Sequence, residues 1–275
     1  MPALFESLIA GGGRARCHHV RSYWPDIGRL PDYERGQPRL RRGVPVIDGL
    51  SVLAVIPARG GSKGLPGKNI RLAAGRPLLD YTVAAARASR HVDRVVLSSD
   101  DEEIMRVARE CGCEVPFRRP GELATDEAAS IDVVLHALDQ LPPHDLVVLL
   151  QPTSPLRSAA DIDAACRSLV QHGAPACVSV TAAEQSPYWM FRMNERAELA
   201  PLLPAAERAV GQSNRRQDLP PVFVLNGAVY VARCEWLKRE RSFVAAGTVG
   251  YPMPAERSLD IDTPADFETF VRLVS

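Results

Sequence analysis

The chain has 275 residues, 46% of them apolar, and a formal charge of zero, so it can bury a full α/β core and carries no global field of either sign. That balance excludes the charge-driven binders: nucleic acid and membrane surfaces are not expected partners, and an anionic ligand must be met by local charge. Six scattered cysteines with no C-x-x-C pair and no zinc spacing read as reduced thiols of a cytoplasmic protein, and no long apolar span or basic-then-apolar leader is legible.

Residues 1 to about 50 are rich in Arg, Gly and Pro, with little periodicity. They are expected to form a weakly ordered extension without catalytic groups, in which His18-His19 is a solvated turn. Regular alternation starts at Leu53. The apolar run Leu53–Ile56 reads as a buried strand, and it breaks at Pro57 into a loop with four glycines and three cations. Leu78–Ala88 reads as an amphipathic helix, Val92–Ser98 as a strand, and Asp101–Cys111 as a helix with acids in its first turn and Gly112 at its end. A short strand is expected at Val115–Phe117, a helix at Ile131–Leu141, and a fully buried strand at Leu146–Leu150. Ala160–Gln171 (helix), Ala176–Val180 (strand) and a last strand at Asn226–Val231 follow. Between these last two lies Glu184–Val222, apolar but broken by proline, which reads as an extended excursion that seeks a partner surface. Repeated βα units predict an α/β fold with a doubly wound, mostly parallel sheet, in residues 51–275, and ligands beyond the carboxyl ends of its strands.

Four loops carry chemistry. Gly60, Gly61, Gly64 and Gly67 let the backbone approach an anion, and Arg59, Lys63 and Lys68 are spaced to span a polyphosphate. The loop is neither a Walker A sequence, because Asn69 follows Gly67-Lys68 and Ser62 stands where the first glycine would, nor G-x-G-x-x-G. Arg119-Pro-Gly-Glu-Leu-Ala-Thr-Asp126 with Ser130 reads either as an acidic turn leading into a helix or as a ligand loop. Gln151-Pro-Thr-Ser-Pro-Leu-Arg157 has two prolines that stiffen the backbone, with Ser158 placed to cap the next helix. In Asp260-Ile-Asp262 two carboxylates alternate on an extended segment and share one side, where a divalent cation would relieve their repulsion; as acids before the Thr263-Pro264 helix start they also have a capping reading.

The run Ile56-Pro-Ala-Arg-Gly-Gly-Ser-Lys-Gly-Leu-Pro-Gly-Lys-Asn69 resembles the nucleotide loop of the CMP-sialic acid synthetases, the acylneuraminate cytidylyltransferases, and the resemblance extends over residues 52 to 275. It implies a nucleotide-diphospho-sugar transferase-like fold with a protruding dimerisation excursion at about 184–222. It also implies transfer of CMP from CTP to a nine-carbon acidic sugar, a sialic- or legionaminate-type nonulosonate, with loss of pyrophosphate, for surface glycan biosynthesis by a homodimer. Carried onto this chain, Arg59 and Lys68, assisted by Ser62 and Lys63, hold the phosphates and Asn69 fixes the nucleotide. Arg119 and Ser130 recognise cytosine, and Gln151, Arg216, Gln217 and Asn226 face the sugar. Asp260 and Asp262 bind Mg²⁺ or Mn²⁺. Val224 departs from the family, whose sialate-specific members carry an arginine there; the resemblance implies that Arg215 or Arg216 takes over or that the sugar is modified. Ser22-Tyr-Trp-Pro-Asp-Ile-Gly-Arg-Leu-Pro-Asp-Tyr-Glu-Arg35 resembles the closing phrase of a sugar-phosphate nucleotidylyltransferase, as a remnant fused ahead of the second enzyme. Two other readings stay open: a nucleotidylyltransferase for ketodeoxyoctonate or a sugar phosphate, and a non-catalytic nucleotide-binding assembly protein.

Overall fold

The computed structural model describes residues 47, 49–62, 64–203 and 218–275, and contacts group Leu50–Ser275 into one unit distinct from Met1–Gly49. The readings of the amino-terminal segment through residue 46, of Lys63, and of Arg215, Arg216 and Gln217 lie outside the described residues.

Val52–Pro57 forms β1, and every residue from Val52 to Ile56 is fully buried, as a run apolar on both faces requires in a sheet covered on both sides. Arg94–Ser98 (β4) and Leu146–Leu149 (β5) flank it in parallel, with Leu53 opposite Arg94 and Val52 opposite Leu146. Ala176–Ala182 (β6) and Val249–Pro252 (β10) form a second parallel pair. Phe223–Arg233 (β9) joins the two sets, antiparallel to both β5 and β6. The sheet order is β10-β6-β9-β5-β1-β4, mostly parallel as the alternation predicts. Two hairpins stand apart from it: Leu72–Ala73 (β2) with Arg76–Pro77 (β3), and Phe191–Met193 (β7) with Leu199–Pro201 (β8).

The helices follow their apolar spacing. Leu78–Ala88 (α1) buries Leu78, Leu79, Thr82, Val83 and Ala86, one stripe of the 3.6-residue period. Glu102–Glu110 (α2) starts where the Asp101 carboxylate accepts the Ile104 backbone N–H at 2.9 Å. Ser130–Gln140 (α3) packs Val134, Ala137 and Leu138 onto Leu53, Val55 and Val147 of the sheet. Ala159–Gln171 (α4) and Pro264–Val274 (α6) both open with capping boxes, Ser158 with Asp161 and Thr263 with Asp266. Cys234–Glu240 (α5) lies between β9 and β10.

Three expectations need correction. Val115–Phe117 is not a strand: Val96 makes one bridge to Glu114, and Pro116, with no backbone donor, stops the pairing there. The last strand is longer than Asn226–Val231, since it already pairs with β6 from Phe223. β10 and α5 were not foreseen. β10 is a four-residue edge strand interrupted by Gly250 and closed by Pro252, which leaves almost no period-2 signal. Within the segment expected to form an excursion, β7 and β8 are exposed along their whole length.

Candidate active site

At the carboxyl ends of β1, β4 and β5 the loops enclose a cleft of about 620 Å³. It is lined on one side by Arg59, Ser62, Gly64, Lys68 and Asn69 of the glycine-rich loop. Arg119, Leu123 and Thr125, with Ser130 and Val133 at the start of α3, line a second side, and Gln151, Pro152, Thr153, Asp260 and Asp262 a third. Residues from 59 to 262 in sequence thus converge on one concavity.

Short-range geometry explains how. Asn69, buried at the end of the loop, donates its side-chain amide to the Arg59 carbonyl at 3.0 Å and so ties the loop's two ends together. Gly67 takes φ +67°, a left-handed turn that glycine adopts at low cost. Gly64 runs so close to the acidic segment that a Cβ there would lie 2.4 Å from the Asp262 carbonyl oxygen. Leu65 of the loop and Ile261, which stands fully buried between the two aspartates, share one apolar cluster with Leu78, Phe267 and Phe270. This cluster is the reason cationic loop and acidic segment face each other. Burying a side chain of this size stabilises by about 1.5–3 kcal/mol.

The charges meet across that contact. The Lys68 ammonium donates to Asp262 at 3.1 Å and to the Ile261 carbonyl at 3.0 Å. The Arg59 guanidinium pairs with Asp126 at 2.5 Å. Asp260 and Asp262 flank Ile261 and both open into the cleft, as the period-2 reading expects. Desolvation raises the Asp260 carboxyl above the ordinary aspartate value; Asp262 adds to the rise, and the Thr153 hydroxyl and Lys68 oppose it. Two like charges in one wall are the arrangement a divalent cation relieves. Among the described residues no cluster of three His, Cys, Asp or Glu suited to an ion occurs, so a cation here would complete its shell from phosphate oxygens and water, as Mg²⁺ prefers.

Two expected contacts look different in the structure. Arg119 borders the cleft but is buried, and its guanidinium turns inward: it donates to the Ser98 carbonyl, to the Ser98 hydroxyl at 3.1 Å and to the Leu123 carbonyl at 3.3 Å. Burial pulls it down to about 10, with Asp100 opposing. It therefore shapes the wall with its stem and holds the Leu123 turn. Ser130, in contrast, is exposed to the cleft in the first turn of α3. Asn226 is the second. It is buried and outside the cleft lining; its amide accepts from Ser179 at 2.6 Å and donates to Ser258 at 2.9 Å and to the Met253 sulfur at 3.4 Å. Through these hydrogen bonds Asn226 ties β9 to β6 and to the segment leading to Asp260. Val224, half exposed on β9 opposite Thr181, also lies outside the lining.

Other residues matter that the sequence reading passed over. Asp126 is one; only its place in an acidic turn hinted at it. Asp161 and Arg257 are another pair. The Asp161 carboxylate is buried and accepts from Arg257 at 2.8 and 3.0 Å, from Tyr251 at 3.1 Å and from Ser158 at 2.6 Å. Burial alone would raise this carboxyl, but the hydrogen bonds together hold it below the ordinary aspartate value. This fixes Arg257, three residues before Asp260, to the amino end of α4. Its place three residues after Ser158 gives Asp161 a capping-box signal in the sequence; its pairing with Arg257 needs the tertiary fold.

Comparison with known proteins gives the family. The profile of the cytidylyltransferase family matches residues 53–199. The N-acylneuraminate cytidylyltransferase of Streptococcus agalactiae serotype III is 36% identical over 217 residues, which cover 78% of this chain and 51% of that one. The chain thus spans about half the length of that relative. The CMP-N,N'-diacetyllegionaminic acid synthase of Legionella pneumophila is 35% identical over 236 residues, 82% of this chain and 97% of the relative. The pseudaminic acid cytidylyltransferase of Campylobacter jejuni is 34% identical, covering 78% and 93%. Among solved structures, a CMP:2-keto-3-deoxy-manno-octonic acid synthetase complexed with CTP superposes with a TM-score of 0.63 at 17% identity, over 82% of this chain and 98% of that one. At that identity the likeness concerns the fold.

Proposed function

The chain belongs to the cytidylyltransferase family, and from that premise we propose that it transfers CMP from CTP to a nine-carbon acidic keto sugar, releasing pyrophosphate. The observation that carries the proposal is the juxtaposition of Arg59 and Lys68 with Asp260 and Asp262 in one cleft. Cationic groups suited to a triphosphate and carboxylates suited to its cation belong to phosphoryl-type chemistry, where the protein mainly positions and neutralises. The relatives named for N-acylneuraminate, legionaminic and pseudaminic acid point to a nonulosonate acceptor rather than ketodeoxyoctonate.

In this reading the anomeric hydroxyl of the sugar attacks the α-phosphorus in line. The new O–P bond forms as the bond to the β-phosphate oxygen breaks, and the hydroxyl proton leaves to water. Arg59 gives up Asp126 to take phosphate oxygens. The pair is partly exposed, with 30% and 37% of the two side chains accessible, so breaking it costs no more than about 1 kcal/mol. Ser62 and the loop amides assist. Ser130 and the first-turn N–H groups of α3 face the base edge, and Gln151 contacts the sugar. Asp260 and Asp262 would hold Mg²⁺ or Mn²⁺, which neutralises charge on the phosphates. The exposed apolar side chains of β7 and β8 support a homodimer. Free Cys111, Cys113, Cys166, Cys177 and Cys234 support a reducing, cytoplasmic setting. Among the described residues no helix is long and apolar enough to cross a membrane.

Pyrophosphate release over a nucleotide panel tests the proposal. CTP should support acceptor-dependent release well above UTP, ATP or GTP. Equal rates with all four would remove the cytosine assignment, and no release with any would leave only a binding protein.

A further inference from the structure

Arg157 closes the loop that begins at Gln151, and its side chain is buried in the protein. Its guanidinium donates to three neutral oxygens: the Ala228 carbonyl at 2.6 Å, the Thr82 hydroxyl at 2.7 Å, and the Gln151 carbonyl. Each lies on a different element, β9, α1 and the loop itself. Burial brings the group down to about 9, opposed by Asp260 and Asp161. A buried cation satisfied by neutral oxygens is a costly way to join three elements, because an apolar side chain of similar size would serve packing at least as well. What an apolar side chain cannot do is fix two carbonyls with one planar fork.

Those two carbonyls bracket a close approach at the cleft. Gly227, next to Ala228, takes φ +73°, and a Cβ on it would lie 2.9 Å from the Gln151 amide oxygen and 3.2 Å from the Ser154 hydroxyl. Asp260 lies just beyond, with its carboxylate at 4.0 Å from the same point. The Gln151 side chain therefore rests on the Gly227 turn, and both supports of that contact hang from one guanidinium. We propose that Arg157 is a positioning residue for the acceptor sugar, setting the Gln151 amide and the Gly227 turn from beneath while touching no substrate itself. The inference rests on the cytidylyl-transfer reading above, with Gln151 on the acceptor side.

Steady-state kinetics of Arg157→Lys with both substrates varied separates this role from a general structural one. Lysine keeps a hydrogen-bond donor and approximate length but loses the fork. The acceptor KM should rise by about 10- to 100-fold while the KM for CTP stays within about twofold, since sub-ångström misplacement acts on the sugar side only. Thr82→Val removes one partner without touching the arginine. It should raise the acceptor KM by a smaller factor, and its effect should be less than multiplicative with that of Arg157→Lys. It also carries the test if the lysine variant does not fold. Equal rises in both KM values, or a wild-type acceptor KM in either folded variant, would overturn the assignment to Arg157. Absence of acceptor-dependent turnover in the unsubstituted protein would instead overturn the reading on which it rests.

Discussion

Lys68 and Arg59 each face a carboxylate across the cleft, and the pairs are exposed enough to yield to a stronger anion. A charge-assisted contact that tightens in the transition state is worth roughly 2–4 kcal/mol. Lys68→Ala and Arg59→Ala should therefore each lower kcat/KM for CTP by about 30- to 1000-fold, with the melting temperature little changed. Wild-type kinetics in both would remove them from the phosphate site. Asp161 works through stability. Its carboxyl is held below the ordinary value near pH ~4, so its contribution is complete above that pH and disappears as the pH falls through the lowered folded value. Asp161→Asn should cost about 2 kcal/mol at neutral pH, and the gap to wild type should close in acid below about pH 4. A melting difference that stays constant from neutral into acid would contradict the ion-pair account. The glycine-rich loop and the two acidic residues were legible from local sequence because clustered glycines and paired carboxylates announce themselves locally, whereas Gln151 was singled out by the family resemblance. Arg157, Asp126 and the inward turn of Arg119 were not, because each is defined by a partner distant in sequence or hidden until the chain folds.

At the scale of elements, the segment from Arg257 to Asp262 behaves as one unit. Arg257 is tied to Asp161, Ser258 to Asn226, and Ile261 to the glycine-rich loop's Leu65 cluster, while the Ile261 N–H donates to the Thr153 carbonyl at 2.8 Å. The two carboxylates are thus delivered by a braced strap rather than a free loop. Asp262→Asn keeps the shape and removes one charge. Mn²⁺ affinity in the presence of CTP, read by electron paramagnetic resonance, should fall about 10-fold or more. Unchanged Mn²⁺ binding would reduce these acids to helix entry. The β7–β8 hairpin makes the opposite prediction, about association. Phe191, Met193 and Leu199 expose 48%, 70% and 64% of their surface. The proposed homodimer requires the unsubstituted protein to be a dimer in light scattering and Phe191→Glu with Met193→Glu to be a monomer; a monomeric unsubstituted protein would contradict the proposal, and a dimer unaltered by the substitutions would place the interface elsewhere. The alternation of βα units made most of the parallel core readable, since buried central strands must be apolar throughout. The hairpins and β10 escaped because short edge strands carry too few residues to show a period, and the antiparallel direction of β9 is a topological fact that hydrophobic pattern does not encode.

In the whole molecule a mostly parallel sheet gathers a cationic loop, the wall at the start of α3 and an acidic strap into one cleft, which we propose serves a single group transfer. Fold likeness alone permits several cytidylyl and uridylyl acceptors, since a fold hosts many functions. The acceptor and product decide. The most direct measurement is mass-spectrometric identification of the product from CTP, Mg²⁺ and, in parallel, N-acetylneuraminate, N,N'-diacetyllegionaminate, pseudaminate, ketodeoxyoctonate and a hexose 1-phosphate. The account predicts a CMP-sugar from at least one nine-carbon acid, with stoichiometric pyrophosphate and little product from the last two. A CDP-sugar formed from the hexose phosphate, or CMP-ketodeoxyoctonate formed in preference to every nine-carbon acid, would contradict it.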